Sequence, residues 1–305
     1  MPFFHILESQ QFTREDLELI FDVANQMEKL SREEKVLKNK ILITLFYEPS
    51  TRTRLSFEAA MIRLGGSVIS TENAASFSSA AKGETLEDTI RVLNGYGDVI
   101  VLRHYETGSA KRAASVSRIP VINAGDGVGQ HPTQSLLDLY TIKKELGRID
   151  GISVALVGDL ANGRTARSLA YLLTKYKDVK LYFVAPENVK MGEDIKEYLK
   201  KHNVFFQESK NLEEVARKVD VIYQTRIQRE RFSSPEEYEK AKGIYIIDKN
   251  IMNLLSSHAI VLHPLPRVDE IKYEVDSDPR AAYFRQAHNG LYIRMALLSM
   301  VLQGV

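Results

Sequence analysis

The sequence predicts an α/β protein built from two doubly wound parallel-sheet domains that are joined by interdomain helices. Short aliphatic and β-branched runs alternate with amphipathic helix patterns along the chain, and this alternation is typical of parallel sheets covered by helices. A length of 305 residues also corresponds to about two domains. We expect the first domain to comprise residues 1–132 with 284–305, and the second to comprise residues 133–283.

The strands are predicted from short β-branched runs that lie between turn signals. These runs are residues 41–45, 98–102, 119–122, 152–157, 180–184, 219–223 and 260–262. The helices are predicted from apolar residues on one face, such as Leu86, Ile90 and Leu93 or the group Leu169, Leu172 and Leu173. The segment 70–83, STENAASFSSAAKG, is small and polar and is predicted to be a loop.

Composition excludes several functional classes. The chain has 44% hydrophobic and 27% charged residues and a net charge of +1, which gives no indication of a nucleic-acid or membrane partner. It has no cysteine, so thiolate catalysis and cysteine-type zinc sites are excluded. No apolar run approaches the length of a membrane span. The first 21 residues contain acidic side chains and a helix pattern, which is unlike a targeting peptide, and we expect a cytoplasmic protein.

Polar, mostly basic segments follow six of the predicted strands. They are EPSTRT, Arg103-His104, NAGDGVGQHPTQ, GDLANGRT, QTRIQRER and HPLPRVDE. Ligands of open α/β sheets bind beyond the carboxyl ends of the strands. Loops there can also be merely solvated, but the shared chemistry of these six favours a binding site at that edge.

The first of these segments predicts a phosphate site. Ser50 or Thr51 is expected to cap a helix that runs to Leu64 and is closed by Gly65 and Gly66. The first-turn N–H groups of such a helix lack intrahelical partners, and with Arg52 they suit a dianion. A capped helix with solvated arginines is the alternative. The segment lacks the glycine-rich turn and lysine of a P-loop, and the glycines at 125–129 do not form a dinucleotide fingerprint.

Several motifs together resemble the aspartate/ornithine carbamoyltransferase family over essentially the whole sequence. STRTR at 50–54 is similar to a motif of carbamoyltransferases in general. HPTQ at 131–134, TRIQ at 225–228 and HPLPR at 263–267 resemble the aspartate branch, since the ornithine branch typically carries a cysteine in an HCLP-type motif. Ala161-Asn162, before the GRT at 163–165, resembles the plant-type chains rather than the enterobacterial ones.

The resemblance implies an activity and an assembly. The activity is transfer of the carbamoyl group from carbamoyl phosphate to L-aspartate, the committed step of de novo pyrimidine biosynthesis, with no cofactor and no metal. The first domain would bind carbamoyl phosphate and the second L-aspartate. The assembly is a homotrimer whose active sites are shared between subunits. Separate regulatory chains are a further partner that the sequence leaves open.

The resemblance also implies the roles of individual residues. Phosphate is held by Ser50, Thr51, Arg52 and Thr53, and Arg103 bridges phosphate and carbonyl oxygen. His131 donates to the carbonyl, while Gln134 and the Leu265 and Pro266 carbonyls hold the carbamoyl nitrogen. Arg164 binds the α-carboxylate of aspartate, and Arg226 with Gln228 binds its side-chain carboxylate. Ser78 and Lys82 come from the neighbouring subunit, and Glu48 and Arg231 resemble interdomain salt-bridge partners.

The chemistry of these residue types agrees with this reading. Attack of an amine on a carbonyl produces an oxyanion, which Thr53, Arg103 and His131 can stabilise as donors. Two anionic substrates repel each other, which gives a reason for five convergent cations, Arg52, Lys82, Arg103, Arg164 and Arg226. Alternatives remain: a nucleotide-dependent dehydrogenase, disfavoured by the missing G-x-G-x-x-G; a phospholigand-binding protein without catalysis; and a carbamoyltransferase with another acceptor, such as ornithine.

Overall fold

The computed structural model describes residues 3–31, 33–74, 83–227, 234, 236, 238 and 243–303. The chain divides into two compact units, unit 1 (Met1–Leu136 with His288–Val305) and unit 2 (Leu137–Ala287). Both passages of the chain between the units fall inside helices, because one boundary lies within Pro132–Leu146 and the other within Tyr283–Gln303. The assignment of one substrate to each unit stays a prediction.

Unit 1 contains a four-stranded parallel sheet with the order β2-β1-β3-β4. Its strands are β1 (Ile41–Phe46), β2 (Ser67–Glu72), β3 (Val99–His104) and β4 (Val121–Asp126). Its helices are α1 (Arg14–Lys29), α2 (Thr51–Arg63), α3 (Leu86–Leu93), α4 (Ser109–Val116), the start of α5 (Pro132–Leu146) and most of α10 (Tyr283–Gln303), with a 3-10 turn at Ser9–Gln11.

Unit 2 contains a five-stranded parallel sheet with the order β7-β6-β5-β8-β9. Its strands are β5 (Ser153–Val157), β6 (Lys180–Val184), β7 (Phe205–Ser209), β8 (Val221–Gln224) and β9 (Ile260–Leu262). Its helices include α6 (Arg164–Leu173), α7 (Glu193–Lys201), α8 (Leu212–Ala216) and α9 (Lys249–Leu254), with 3-10 turns at Glu187–Val189 and Tyr273–Ser277. The predicted fold class is confirmed.

Each sheet reverses its winding direction once. In unit 1 the chain goes from β1 outward to β2 and then to β3 and β4 on the other side of β1. In unit 2 it goes from β5 to β6 and β7 and then to β8 and β9 on the other side of β5. The switch points therefore lie between β1 and β3 and between β5 and β8, and ligands of doubly wound sheets bind at such points.

The sequence prediction missed two strands, β2 and β7. Both form an edge of their sheet, and most residues in each are exposed or only half-buried, so neither carries the apolar run that marks a buried strand. The predicted loop 70–83 was wrong at its start, because Ser70–Glu72 completes β2. The run predicted at 119–122 is shifted, since β4 continues through the polar residues Asn123 and Asp126.

The apolar core of each unit is built from its sheet and the helices against it. In unit 1, Ile43, Ile100 and Val121 belong to one buried cluster with Leu86 and Ile90 of α3. A second cluster in unit 2 comprises Val157, Val184, Ile222 and Val261 on the sheet and residues such as Val215 of α8. Within the described ranges, no helix has both the length and the apolar character that a membrane crossing needs.

Both sheets start their central strand with the same arrangement. The Asp98 carboxylate accepts from the backbone N–H of Ile41 at 2.8 Å, and the Asp98 N–H donates to the Ile41 carbonyl at 2.9 Å. The Asp220 carboxylate accepts from Ser153 N–H at 2.7 Å, and Asp220 N–H donates to the Ser153 carbonyl at 2.8 Å. Each aspartate thus satisfies the first donor of the strand from which the switch point is built.

Removing either aspartate should destabilise the protein. We expect Asp98→Ala and Asp220→Ala each to lower the free energy of unfolding by about 1–3 kcal/mol, because a strand N–H loses its acceptor. Asp220→Ala should lower the free energy of unfolding more than Asp98→Ala, since the Asp220 side chain is 14% exposed and the Asp98 side chain is 30% exposed. Urea denaturation measures this. Asp22→Ala, at an exposed position of α1, is the control, and equal effects for all three variants would contradict the expectation.

Candidate active site

The loop after β1 leads directly into helix α2, as predicted. Helix α2 begins at Thr51 with Ser50 in the N-cap position, and Leu64 ends it before Gly65, whose φ is 86°. The expectation of a side-chain cap was wrong, because the Ser50 hydroxyl makes no capping bond. The first intrahelical bond is from Arg54 N–H to the Ser50 carbonyl at 3.0 Å. The N–H groups of Thr51, Arg52 and Thr53 therefore precede the helical ladder and suit an anion.

The two arginines of this motif have different environments. The Arg54 guanidinium pairs with Glu72 of β2 at 2.8 Å and with Glu58 of α2 at 3.4 Å, and it donates to the Ser70 hydroxyl at 3.0 Å. Arg52 is exposed and makes no hydrogen bond or ion pair to any residue that the structure describes. The repulsion between neighbouring guanidinium groups is thus offset at Arg54 by protein carboxylates, while no described carboxylate neutralises Arg52.

Arg103 lies on the other side of the switch point. It is the last but one residue of β3 and is paired in register with Phe46, the last residue of β1. Its Nη1 donates to the Ala124 carbonyl at 3.3 Å, and its Nε lies 3.5 Å from the Glu48 carboxylate. The β1 loop and Arg103 therefore meet at the carboxyl edge of the unit 1 sheet, which is where the sequence places the phosphate site.

His131 follows β4 at the same edge. It is 4% exposed, and its Nδ1 lies 3.4 Å from the Thr133 hydroxyl. With that hydroxyl as the donor, Nε2 carries the ring proton and can donate to a ligand. Gln134, on the first turn of α5, is also buried, and its N–H donates to the His131 carbonyl at 3.0 Å.

The loop before His131 is shaped by Asp126, which the sequence analysis did not single out. The Asp126 carboxylate accepts from Gln130 N–H at 2.7 Å and from Gly108 N–H at 2.9 Å. Gly127 has a φ of 55°, and a Cβ there would lie 2.6 Å from the Tyr105 carbonyl oxygen. Glycine is required at that close approach. The GDG sequence was the available signal for this turn.

In unit 2, Arg164 and Arg226 lie at the second switch point. Arg164 is 8% exposed and is the first residue of α6, after β5, and Arg226 follows β8. Gly158 allows the two loops to approach, because its φ is 112° and a Cβ there would lie 2.5 Å from the Thr225 carbonyl oxygen. Two guanidinium groups placed after neighbouring strands suit a ligand with two carboxylates.

The HPLPR segment follows β9 in unit 2. Leu265 has a φ of 52°, and the peptide bond from Leu265 to Pro266 is cis. The Arg267 guanidinium pairs with Asp276, donates to the Tyr283 hydroxyl at 3.0 Å, and lies 4.6 Å from the centre of the Tyr273 ring. Through these contacts Arg267 holds the HPLPR segment against Asp276, Tyr283 and Tyr273.

Three predicted site residues, Ser78, Lys82 and Gln228, lie outside the described residues, as does Arg231. The structure therefore places the predicted residues of unit 1 (Ser50, Thr51, Arg52, Thr53, Arg103, His131 and Gln134) at one sheet edge, and those of unit 2 (Arg164, Arg226, Leu265 and Pro266) at the other sheet's corresponding edge. Among the described residues, no group of three or more histidines and carboxylates is arranged to hold a metal ion.

Comparison with family models identifies both halves of the chain. Residues 5–144 match the aspartate/ornithine carbamoyltransferase carbamoyl-P binding domain, and residues 150–301 match the Asp/Orn binding domain of the same family. Together these matches cover nearly the whole chain. The chain belongs to the aspartate/ornithine carbamoyltransferase family.

Comparison with individual relatives supports the same family assignment. The chain is 64% identical over 303 residues to the chloroplastic aspartate carbamoyltransferase of Arabidopsis thaliana, covering 98% of this chain and 78% of that protein. The solved catalytic subunit of M. jannaschii aspartate transcarbamoylase is 50% identical, with a TM-score of 0.92 and 99% of both chains covered. The Trypanosoma cruzi enzyme, solved with N-(phosphonacetyl)-L-aspartic acid, is 44% identical, with a TM-score of 0.92 and 98% and 95% coverage. The resemblance to the aspartate branch is confirmed.

The predicted cytoplasmic location was wrong. The relatives from Arabidopsis thaliana, Pisum sativum and Oryza sativa, at 63–64% identity, are chloroplastic enzymes, and this finding overturns the prediction. The prediction depended on the composition of the first 21 residues. The cellular compartment of a protein is determined by targeting segments, which receptors recognise independently of the fold. The residue pattern of a catalytic chain therefore does not reveal it.

The different environments of the two arginines predict different effects on stability. Arg54→Ala should lower the free energy of unfolding by about 1–2 kcal/mol, because Glu58 and Glu72 lose their cation in a region where the Arg54 side chain is only 21% exposed. Arg52→Ala should change it by less than about 0.5 kcal/mol. Denaturant unfolding without ligand measures both, and equal losses would show that Arg52 also supports the fold.

Proposed function

We propose that this chain transfers the carbamoyl group of carbamoyl phosphate to the amine of L-aspartate, giving N-carbamoyl-L-aspartate and phosphate. The observation that carries the proposal is the group of Arg52, Arg103 and His131 with the first-turn N–H groups of α2 at one sheet edge, in a chain of this family. The Trypanosoma cruzi relative has been solved with carbamoyl phosphate and aspartate, which supports the same two substrates here.

Unit 1 supplies the carbamoyl phosphate site. The α2 N–H groups, the hydroxyls of Ser50, Thr51 and Thr53, and the Arg52 guanidinium bind the phosphate. This assignment is supported by the Ser50 hydroxyl, which makes no capping bond, and by Arg52, which no described residue pairs with. Arg103 contacts both the phosphate and the carbonyl oxygen. A phosphate dianion there also offsets the cost of a cation in the first turn of a helix.

Unit 2 supplies the aspartate site. Arg164 binds the α-carboxylate, and Arg226 with Gln228 binds the side-chain carboxylate. A guanidinium fork matches a carboxylate in two parallel hydrogen bonds, which makes the distance between the two arginines a measure of acceptor length. Lys82 supplies a further cation for the two anionic substrates, carbamoyl phosphate and L-aspartate.

The reaction then follows from the donors around the carbonyl. The aspartate nitrogen bonds to the carbonyl carbon, the oxyanion accepts from Thr53, Arg103 and His131, and the carbon–oxygen bond to phosphate breaks. Each donor of this kind contributes about a hundredfold or more in rate. Gln134 and the Leu265 and Pro266 carbonyls hold the carbamoyl nitrogen. Because the aspartate amine attacks the carbonyl carbon directly, the step needs no nucleophilic side chain. The leaving phosphate takes the proton that the amine releases, so the step needs no side chain as general base.

The active assembly is a homotrimer in which Ser78 and Lys82 of one subunit complete the site of its neighbour. The family resemblance supports this arrangement. The product, N-carbamoyl-L-aspartate, is the committed intermediate of de novo pyrimidine biosynthesis, and we assign the chain to that step. Separate regulatory chains would add mass to the native trimer, so the mass of the native assembly tests for them.

Acceptor selection tests the function. With carbamoyl phosphate, the purified chain should carbamoylate L-aspartate and hardly carbamoylate ornithine, whose cationic side chain faces Arg226. Arg226→Ala should raise the KM for aspartate and lower kcat. The loss in kcat/KM should correspond to a few kcal/mol, because the side-chain carboxylate of aspartate is left unpaired. Phosphate binding to unit 1 should remain within about twofold. Product formation and phosphate titration give the two values.

Either of two results would contradict this assignment. Equal carbamoylation of ornithine and aspartate by the wild-type chain would make the acceptor something other than a dicarboxylate. Equal loss of aspartate and phosphate binding in Arg226→Ala would mean that Arg226 supports the fold. Arg217→Ala, an exposed arginine that ends α8, is the matched control and should leave both values unchanged.

Sharing of the site predicts complementation between inactive variants. Lys82→Ala and Arg103→Ala trimers should each be nearly inactive, whereas trimers re-formed from a mixture should regain activity. In a mixed trimer some interfaces combine an intact Lys82 with an intact Arg103, and statistical mixing restores up to about a quarter to a third of the sites when each site needs both. Hybrids without activity would place Lys82 in the site of its own chain.

A further inference from the structure

A buried hydrogen-bond network fixes the segment that carries the Leu265 and Pro266 carbonyls. Leu265 adopts a left-handed backbone conformation with a φ of 52°. For a residue with a Cβ this conformation is strained, and it persists only where the surroundings impose it. The network that imposes it consists of side chains the reaction does not use.

His263 is the first member of this network. Its side chain is about 1% exposed. Its Nδ1 accepts from the backbone N–H of Leu265 at 2.7 Å, and its Nε2 lies 2.8 Å from Oε1 of Glu270. Because Leu265 N–H is a donor, Nδ1 must be the unprotonated nitrogen, so Nε2 carries the proton that bonds to Glu270.

Glu270 is the second member of the network and accepts hydrogen bonds from the backbone of the same segment. Its Oε2 accepts from the backbone N–H groups of Val268 and Asp269, each at 3.1 Å, and its own carbonyl accepts from Ile247 N–H at 2.8 Å. Burial disfavours the charged form of Glu270, but the hydrogen bond from His263 and those from the backbone donors outweigh it and lower the pKa of the carboxyl group. Glu270 therefore stays ionised at neutral pH and keeps accepting.

The network is anchored in the helices on the far side of His263. The backbone N–H of His263 donates to Oε1 of Gln286 at 2.8 Å, and Nε2 of Gln286 donates to Asp138 at 2.6 Å. The Tyr223 hydroxyl donates to the other oxygen of Asp138 at 2.8 Å. All of these groups are buried. Gln286 of α10 is the member that bonds to the segment directly, while Asp138 of α5 and Tyr223 of β8 lie one and two hydrogen bonds further away.

We propose that His263 and Glu270 are positioning residues that hold the Leu265 and Pro266 carbonyls where they select the carbamoyl nitrogen. The proposal rests on the function proposed above. The proposal is supported by the partners of these two side chains. Together they accept hydrogen bonds from three backbone N–H groups of one short segment, those of Leu265, Val268 and Asp269. Apolar side chains can replace a buried polar pair that serves stability alone, but replacing His263 and Glu270 in this way would leave those three backbone donors unsatisfied.

Acetyl phosphate separates positioning from general stability, because it carries a methyl group where carbamoyl phosphate has its nitrogen. Misplaced carbonyls should weaken binding of carbamoyl phosphate and leave acetyl phosphate almost unaffected. The readout is the KM for carbamoyl phosphate at saturating aspartate, set against the inhibition constant of acetyl phosphate as its competitor. A purely structural defect moves both values together or neither.

His263→Gln and Glu270→Gln are the test variants. His263→Gln can still reach Glu270 but cannot accept from Leu265 N–H at the Nδ1 position, and Glu270→Gln keeps the size of the side chain while losing its charge. We expect each to raise the KM for carbamoyl phosphate about tenfold or more, the size of one lost hydrogen bond, with the acetyl phosphate constant within about twofold. Tyr223→Phe removes a buried hydrogen bond at the far end of the network and should change neither value.

The outcomes are distinguishable. Wild type that forms no carbamoyl aspartate overturns the proposed function itself. Active wild type with an unchanged ratio of the two constants in Glu270→Gln overturns the positioning role, whether or not His263→Gln folds. A Tyr223→Phe variant that shifts the ratio as much as Glu270→Gln would also overturn it, because the effect would then come from the packing of unit 2 and not from the segment.

Discussion

Parallel pairing of the strands is the constraint on which the candidate site depends. Because neighbouring strands run in the same direction, the segments that follow them all emerge at one edge. In each unit the first strand, β1 or β5, lies inside the sheet, and the chain winds to one side of it and then to the other. Arg52 and Arg103, which are 51 positions apart in sequence, are brought to the switch point of unit 1 in this way, and Arg164 and Arg226 are brought to that of unit 2.

Charge compensation decides which of these cations can act on a ligand. Arg54 is held by Glu58 and Glu72 and belongs to the scaffold, whereas Arg52 has no partner among the described residues. Glu72 comes from an edge strand that the apolar pattern did not reveal. The polar edge strand β2 thus affects the candidate site, because its Glu72 carboxylate pairs with Arg54 and not with Arg52.

Several buried or half-buried polar side chains accept hydrogen bonds from backbone N–H groups. Asp98 and Asp220 satisfy the first N–H of β1 and β5, Asp126 closes the loop before His131, and His263 with Glu270 fixes the segment after β9. Buried donors need partners, and a carboxylate or imidazole supplies one without lengthening the chain. The backbone of the strands and loops at the candidate site is therefore held in part by side chains that have no predicted role in binding.

The sequence by itself determined the α/β class, the position of most strands, the polar segments at the sheet edges and the family, since buried strands and local motifs are encoded by neighbouring residues. Strands β2 and β7 escaped detection because half-exposed edge strands lack an apolar run. The cap at Ser50 was predicted from propensity, but the hydroxyl makes no capping bond. Only the tertiary structure showed that Arg54 is paired and that Glu270 reaches His263. Arg54 meets Glu72 because α2 packs beside β2, and Glu270 reaches His263 because of the backbone path that the segment after β9 takes. The local residue pattern shows neither the packing nor that path.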